Sequence, residues 1–191
     1  VKKVIKNIRI KNLIYVSSPS IYLKNHYVGT NKKKIENFLS KNKKKFNSLQ
    51  IWRPFNLINA NYIKYSDHFH NLLFKIMFVQ KRQKYIFRGN ENDKRGYADI
   101  DEFSHTLLKN AFLNQSFIRD FGSLDAIRVK DIIKIYNKFY YKKFKKTFVA
   151  TYFSNKVNIN IIKKSRNNIY TKQKSRNVIK KYLINRLYEK N

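Results

Sequence analysis

Residues 13–36 decide the fold and read LIYVSSPSIYLKNHYVGTNKKKIE. The apolar opening ends at two serines and a proline, which is typical of a buried strand that runs into a loop, so we predict a strand over residues 13–17. Apolar residues then recur at helical spacing within a run of lysines. This spacing predicts a helix over residues 30–45 with a lysine-rich outer face.

Three polar residues of this stretch are expected to meet at the end of the strand. Ser18 follows the predicted strand, and Tyr27 and Lys32 stand near the head of the predicted helix. Open α/β sheets bind their ligands at the carboxyl ends of their parallel strands. The sequence therefore predicts a site that contains Ser18, Tyr27 and Lys32.

Two later segments have a related character. Residues 49–53 form a second predicted strand, which ends in the sequence RPFN at 53–56. In the simplest interpretation, the proline there only stops the hydrogen-bond ladder of the strand. Residues 94–103 read KRGYADIDEF, a basic loop with one glycine that leads into the acidic start of a helix. Acidic residues are favourable at the positive end of a helix.

Taken in order, these segments resemble the second half of the extended short-chain dehydrogenase/reductase family, the NAD-dependent nucleotide-sugar epimerases and dehydratases. In that family a strand ends in Ser-Ser, a Tyr-x-x-x-Lys pair follows on a helix, and a glutamate stands four residues after the lysine. Here Ser17, Ser18, Tyr27, Lys32 and Glu36 take these places.

The spacing of the tyrosine and the lysine departs from the family pattern. Tyr27 and Lys32 are five residues apart, and Asn31 stands at the four-residue position. Four residues bring two side chains to one face of a helix, whereas a fifth turns the second side chain away. Either a bulge realigns Lys32 with Tyr27, or the pair is broken.

The family's Arg-Pro-Phe-Asn-x-x-Gly segment corresponds to residues 53–59, with Asn59 in place of the glycine. Asparagine accepts a left-handed backbone better than most residues. The family's Arg-Asp-Phe-x-x-Val segment corresponds to residues 95–100, with Gly96 in place of the aspartate. An ion pair of Arg95 with Asp99 or Asp101 is the structural alternative to a role for Arg95 in binding.

The resemblance implies a role for each matching residue and NAD or NADP as the cofactor. Tyr27 would be the general base that takes a proton from a sugar hydroxyl, assisted by Ser18 and Lys32. Hydride would pass from the sugar to the cofactor. The implied cofactor-binding residues are Ser17, Tyr27, Lys32, Pro54 and Phe55. The implied ligands of the nucleotide-sugar substrate are Asn56 and Arg95.

The family's Gly-x-x-Gly-x-x-Gly loop is absent, because the four glycines lie at 29, 89, 96 and 122. We therefore expect a form that looks N-terminally truncated and is inactive alone. Either the reading frame is truncated, or a separate chain supplies the first half, or the remnant has taken another role. The expected fold class is α/β, a partial Rossmann-like parallel sheet with a small C-terminal substrate subdomain. The expected regions are 1–60 with the catalytic segment, 61–155 with the substrate subdomain, and 156–191 as a basic tail and helix.

The net charge of +32 supports an alternative function. Lysines and arginines outnumber acidic residues 43 to 11, which favours a polyanionic partner, so a basic RNA-binding or ribosome-associated protein on a degenerate reductase scaffold is the second hypothesis. Codon bias is the competing explanation, since Lys, Asn, Ile, Phe and Tyr are abundant together. Family members often dimerise through the tyrosine-bearing helix, but its lysines here would repel a second copy.

Other classes of site find little support in the sequence. The chain has no cysteine, which excludes disulfides and thiolate chemistry. The four histidines are badly spaced for a metal, so we expect no metal site. No apolar run approaches the length of a membrane span, and no signal peptide is evident, so a cytoplasmic location is expected.

The rest of the chain predicts further helices and one strand. Apolar spacing predicts helices over 67–79, 102–113 and 128–141, a strand over 85–87, and a last helix that begins near 178. The aromatic residues within 128–141 are interpreted as core rather than as a platform for stacked bases. Residues 163–177 have almost no apolar side chains, which predicts a loop or tail.

Overall fold

A computed structural model describes residues 10–23, 26–59, 84–87, 89–147, 149–154, 156–157, 159–160 and 165–188. Four parallel strands form its main sheet: β1 (Asn12–Val16), β2 (Ser48–Pro54), β7 (Phe117–Gly122) and β11 (Ile169–Tyr170). They lie side by side in the order β1-β2-β7-β11. This sheet confirms the predicted α/β class with a parallel sheet.

Strand β2 is the interior strand on which the sheet is built. Its first five residues are buried, which is the near-continuous burial expected where both faces of a parallel sheet are covered. Ile51 packs in the cluster under the first helix, and Trp52 packs on the opposite face. The register places Tyr15 opposite Ile51, and Arg53 opposite Asp120.

Four α-helices and two 3₁₀ turns accompany the sheet in the described residues. The helices are α1 (Tyr27–Lys41), α2 (Ile100–Ala111), α3 (Val129–Phe144) and α4 (Ser175–Tyr188). The 3₁₀ turns are Pro19–Tyr22 and Lys43–Lys45. His26 caps α1 by accepting a hydrogen bond from the Gly29 N–H at 3.1 Å, and Asp99 caps α2 in the same way.

Short strands form three further small sheets. Strands β3 (Leu57–Ile58) and β6 (Ala98–Asp99) form a parallel pair, as do β4 (Lys84–Phe87) and β9 (Val149–Tyr152). The last sheet has the order β10-β5-β8, with bounds Ile159–Asn160, Lys94–Arg95 and Ile127–Arg128. These pairs hold the loops that follow the main strands.

Among the described residues, the core consists of three apolar clusters. The largest lies between α3 and α4, where Ile132 and Ile179 are fully buried and the Tyr136 and Tyr140 rings stack 5.3 Å apart. A second cluster joins α1 to the sheet. In the third, Trp52 meets Phe103 of α2 edge to face, with 6.0 Å between the ring centroids.

Most predicted elements are confirmed. The strand at 13–17 is β1, the strand at 85–87 is β4, and the helices at 102–113 and 128–141 are α2 and α3. The aromatic residues of α3 are core, as interpreted. The helix expected over 30–45 begins earlier, at Tyr27, because His26 supplies its cap. The predicted helix at 67–79, which carries His68 and His70, lies outside the described residues.

The prediction of a loop or tail over 163–177 is partly wrong. Residues 169–170 form strand β11, which pairs with Phe121 and Gly122 of β7. Helix α4 begins at Ser175, and its Val178 and Ile179 are fully buried against α3. Strand β11 forms with few apolar side chains, because backbone hydrogen bonds attach it to β7.

The main sheet draws on all three regions expected from the sequence. Strands β1 and β2 come from 1–60, β7 comes from 61–155, and β11 comes from 156–191. No helix of the described residues is long and apolar enough to cross a bilayer.

Candidate active site at the carboxyl edge of the sheet

The turn after β1 holds the two serines at the carboxyl edge of the sheet. The Ser17 N–H donates to the Trp52 carbonyl oxygen at 2.7 Å, which continues the ladder one residue beyond the strand. The Ser17 side chain is buried, and its Oγ has no hydrogen-bond partner among the described residues. The Ser18 Oγ accepts from the Ser20 N–H at 3.2 Å and so caps the 3₁₀ turn. Ser17 shares this feature with Ser20 of the same turn, whose Oγ is also buried without a partner among the described residues.

Lys32 reaches the same edge from α1. Its Nζ donates to the Val16 carbonyl oxygen at 3.1 Å and lies 5.3 Å from the centroid of the Tyr15 ring. Val16 is the last residue of β1, so this contact places the ammonium group next to the Ser17–Ser18 turn. The structure therefore brings Lys32 and the serines together.

Tyr27 does not join them. Helix α1 is a regular α-helix from Tyr27 to Lys41, so no bulge realigns Lys32, and that alternative is wrong. The Tyr27 side chain is 82% exposed. Val28, not Tyr27, stands four residues before Lys32, and it is half-exposed. The pair is therefore broken in this conformation.

Gly29 fixes how α1 meets the serine turn. A Cβ atom built on Gly29 would lie 2.7 Å from the Ser20 carbonyl carbon and closer still to its oxygen. Only glycine allows this approach of helix and turn. The sequence contained this signal as a glycine three residues before Lys32, but the sequence-based argument did not use it.

A buried ionic network stands behind the serine turn. The Arg53 guanidinium contacts both oxygens of Glu36 and also donates to the Tyr22 hydroxyl at 2.7 Å. The Tyr22 hydroxyl in turn donates to Asp120 Oδ1 at 2.9 Å. The network ties α1, the 3₁₀ turn and strands β2 and β7 together. Sequence reasoning missed Asp120, whose only signal is an acid beside Arg119 in the short strand FIRDFG.

Burial sets the electrostatics of this network. Burial raises the pKa of Asp120, although the hydrogen bond from Tyr22 and the charge of Arg53 oppose the change. Burial also raises the pKa of Tyr22, against the influence of Arg53. For Arg53, burial would lower the pKa, but the hydrogen bond and charge of Glu36 outweigh it and raise the pKa. Arg53 therefore stays charged, and we interpret the ionic network as structural rather than as a path for protons.

The RPFN segment (53–56) lies at the end of β2, next to this ionic network. Pro54 ends the strand, and Phe55 is buried and donates its N–H to the Phe121 carbonyl at 2.8 Å. Asn56 Nδ2 donates to the Gly96 carbonyl oxygen at 2.8 Å. Asn56 also has the left-handed backbone, with φ of 40°, that the sequence argument had associated with Asn59. The reason is that the chain must turn here to form β3.

Arg95 lies on β5, at the start of the KRGYADIDEF segment at 94–103. Its guanidinium carbon lies 5.8 Å from the centroid of the Phe87 ring, a cation–π arrangement. Asp99, one of the two acids considered as its partner, forms an ion pair with Lys181 at 3.3 Å instead. Through the Asn56–Gly96 hydrogen bond, the Arg95 loop is connected to the RPFN segment. The described residues contain no group of three or more histidines and acids that could hold a metal.

Comparison with known proteins finds no matching family model and no matching curated protein. Solved structures do match. RMD from Pseudomonas aeruginosa, complexed with NADPH, has a TM-score of 0.68 at 11% identity, over 95% of this chain and 67% of that one. This chain has the fold of an extended short-chain dehydrogenase/reductase.

Two epimerases have similar structures. UDP-glucose 4-epimerase from Thermotoga maritima, with UDP-glucose, has a TM-score of 0.63 at 16% identity, over 85% of this chain and 57% of the enzyme. UDP-N-acetylglucosamine 4-epimerase from Methanobrevibacter ruminantium, with UDP-N-acetylmuramic acid, has the same TM-score at 13% identity, over 83% and 56%. The chain thus spans little more than half the length of these two short-chain dehydrogenase-like enzymes.

Proposed function

We propose that this chain acts on nucleotide sugars as the substrate-side half of an NAD(P)-dependent epimerase or dehydratase. The observation that carries the proposal is the position of Lys32, whose Nζ lies at the carboxyl end of β1 beside the Ser17–Ser18 turn. In a short-chain dehydrogenase-like fold, this edge of the parallel sheet is where a ligand binds. The similarity to solved enzymes that hold UDP-sugars, NAD or NADPH supports the same function.

In this proposal each side chain at the carboxyl edge of the sheet has a separate role. Ser18 and Tyr27 contact the reacting sugar hydroxyl, and Tyr27 is the base that accepts its proton. Lys32 would hold the ribose of a bound cofactor, but the broken Tyr27–Lys32 pair leaves the developing tyrosinate with little stabilisation from its charge. A bound nicotinamide would supply the hydride acceptor for the sugar carbon. The product is a keto sugar, which is then converted to an epimer or a dehydrated sugar.

The described residues fit one end of the cofactor. The unpartnered Ser17 hydroxyl and the Lys32 ammonium group suit the nicotinamide and its ribose, with Pro54 and Phe55 along the side of the site. No glycine-rich loop is available for the diphosphate, because the sequence has four isolated glycines. We therefore expect weak cofactor binding by this chain and assign the phosphate-binding part to a separate polypeptide segment.

Arg95 and Asn56 are the proposed ligands of the nucleotide sugar. A guanidinium group binds a diphosphate through two parallel hydrogen bonds. Arg95 can turn from the Phe87 ring to a diphosphate, since the ring contact is a weak interaction at a partly exposed site. Asn56 holds the Arg95 loop through Gly96, so it positions the arginine as well as the sugar.

Titration calorimetry with UDP-glucose tests the binding half of the proposal. Arg95→Leu should weaken binding by about tenfold, since a hydrogen bond to a charged group contributes roughly 1.5–3 kcal/mol. Arg119→Leu is the matched control, because Arg119 also lies over a phenylalanine ring, 4.2 Å from the centroid of Phe117. Absence of binding by the wild type, or equal loss in both variants, counts against the proposal.

Exchange of two neighbouring residues tests the role of the tyrosine. Wild-type turnover of UDP-glucose with saturating NAD should be slow, because Tyr27 points away from Lys32. Tyr27→Phe should remove what remains. Tyr27→Phe combined with Val28→Tyr places a tyrosine four residues before Lys32 and should raise the rate above that of the wild type. If the exchange variant is as slow as Tyr27→Phe, the tyrosine–lysine mechanism is wrong.

A further inference from the structure

A cationic groove lies between α3, α4 and the β5–β8 strands, and shares no residue with the site at the edge of the sheet. Its volume is about 1120 Å³. Of its fifteen lining residues, eight are lysine or arginine and two are aspartate. The eight cationic side chains of this groove suit a ligand with many negative charges.

The two aspartates do not neutralise the groove. Asp131 forms an ion pair with Arg128 at 2.7 Å. Both Asp125 oxygens accept hydrogen bonds from the Ser175 N–H, at 2.9 and 3.0 Å, at the start of α4. None of the other seven lysines and arginines of the groove forms an ion pair with a described residue. Seven of the eight cations of the groove therefore have no ion-pair partner among the described residues.

The cations form regular rows along the helices. Lys134, Lys138 and Lys142 follow one another at four-residue intervals on α3, and Arg176 and Lys180 do the same on α4. This interval corresponds to a rise of about 6 Å. Like charges four residues apart destabilise a helix by a few tenths of a kcal/mol per pair. An extended row of bound anions would relieve this repulsion.

The floor of the groove is apolar. Ile135, Phe139 and Ile184 line the groove together with the cations. Proteins that bind single-stranded nucleic acid combine a cationic groove along the phosphates with apolar or aromatic surface for the bases.

We propose that this groove binds the phosphate backbone of a single-stranded polynucleotide. The lysines and Arg176 contact successive phosphates, and Phe139 with its apolar neighbours contacts sugars and bases. Codon bias can explain many lysines in a chain, but it does not explain why six of them line one concave surface. The proposal does not depend on the activity proposed for the edge of the sheet.

The test compares two triple variants of the full chain that remove the same charge. Lys134→Gln, Lys138→Gln and Lys142→Gln change exposed residues of α3, the last of them in its final turn. Lys33→Gln, Lys34→Gln and Lys41→Gln change exposed residues of α1, again with the last in its final turn. Fluorescence anisotropy with labelled 20-nucleotide oligouridylate and oligothymidylate measures binding at several salt concentrations.

The groove variant should bind about tenfold or more weakly than the wild type near physiological salt, and its log K against log salt slope should be smaller by about 2. The α1 variant should change affinity by less than about threefold. Binding of either RNA or DNA that depends on the groove supports the proposal, and the ratio of the two shows whether the 2′-hydroxyl matters.

Two results would overturn the proposal. One is an equal loss in both triple variants, which would mean that net charge alone attracts the strand. The other is groove-dependent binding of inorganic polyphosphate with no binding of either oligonucleotide. Arg176→Gln with Lys180→Gln provides a second groove variant on α4, and circular dichroism confirms that each variant is folded. Loss of UDP-glucose binding in an Arg95 variant would leave these results unchanged.

Discussion

Arg53 and Glu36 form a two-point ion pair that joins strand β2 to helix α1. Arg53 Nε lies 3.1 Å from Glu36 Oε1, and Nη2 lies 2.5 Å from Oε2. The side chains are 17% and 5% exposed. Because α1 carries Lys32 and β2 carries the RPFN segment, this pair sets the distance between the two halves of the candidate site.

Removal of Arg53 should therefore be costly. Arg53→Met leaves Glu36 and Asp120 buried without their cation, and loss of one partner of a buried pair costs about 3–5 kcal/mol of unfolding free energy. Urea denaturation measures the change. Arg128→Met is the control, because its pair with Asp131 is exposed and should contribute less than about 1 kcal/mol. Similar losses in the two variants would contradict a structural role for the buried pair.

Asp120 should make stability depend on acid pH. Burial raises its pKa above the ordinary 3.8, so the folded chain binds this proton more tightly than the unfolded chain. Its contribution is therefore most favourable below pH 3.8 and is lost as the pH rises through the folded-state pKa. Asp120→Asn keeps an acceptor for Tyr22 without the charge. Denaturation across the acid range should show the variant gaining on the wild type as the pH rises, and a constant difference would refute this.

Tyr97 should produce a loss of stability at alkaline pH. Burial raises the pKa of its hydroxyl from 10.0 to about 12, against the influence of Arg95. The protonated form is favoured in the folded chain, so stability falls between the unfolded and folded pKa values, by roughly 3 kcal/mol for such a shift. Tyr97→Phe should show a smaller loss, since other buried tyrosines such as Tyr136 still contribute, whereas Tyr141→Phe, which alters an exposed ring, should retain the full loss. Urea midpoints at pH 9 and 11.5 distinguish them.

Gly29 should resist replacement although it lies in a helix. Glycine to alanine inside a helix usually stabilises by about 1 kcal/mol. At Gly29 the new methyl group would meet the Ser20 backbone, and such overpacking costs about 1–3 kcal/mol. Asn37→Ala, at an exposed position of the same helix, should stabilise slightly. A stabilising Gly29→Ala would show that the serine turn can move away from α1.

Local patterns in the sequence were sufficient for most of the fold. Apolar periodicity located β1, α2 and α3, because burial on one face imposes that periodicity. The first residues of helix α1 were not predicted, because His26, which caps the helix, is not one of the usual capping residues. Strand β11 was missed because two residues carry no periodic signal and depend on the neighbouring β7 for their hydrogen bonds.

The candidate site shows the same division. The sequence by itself determined the α/β class, the Ser17–Ser18 turn after a strand, and the five-residue interval between Tyr27 and Lys32. Only the tertiary structure decided that α1 stays regular and leaves Tyr27 exposed, that Asp120 joins Tyr22 and Arg53, and that cations of α3 and α4 share one groove. These relationships join residues far apart in the chain, and packing rather than local preference brings such residues together.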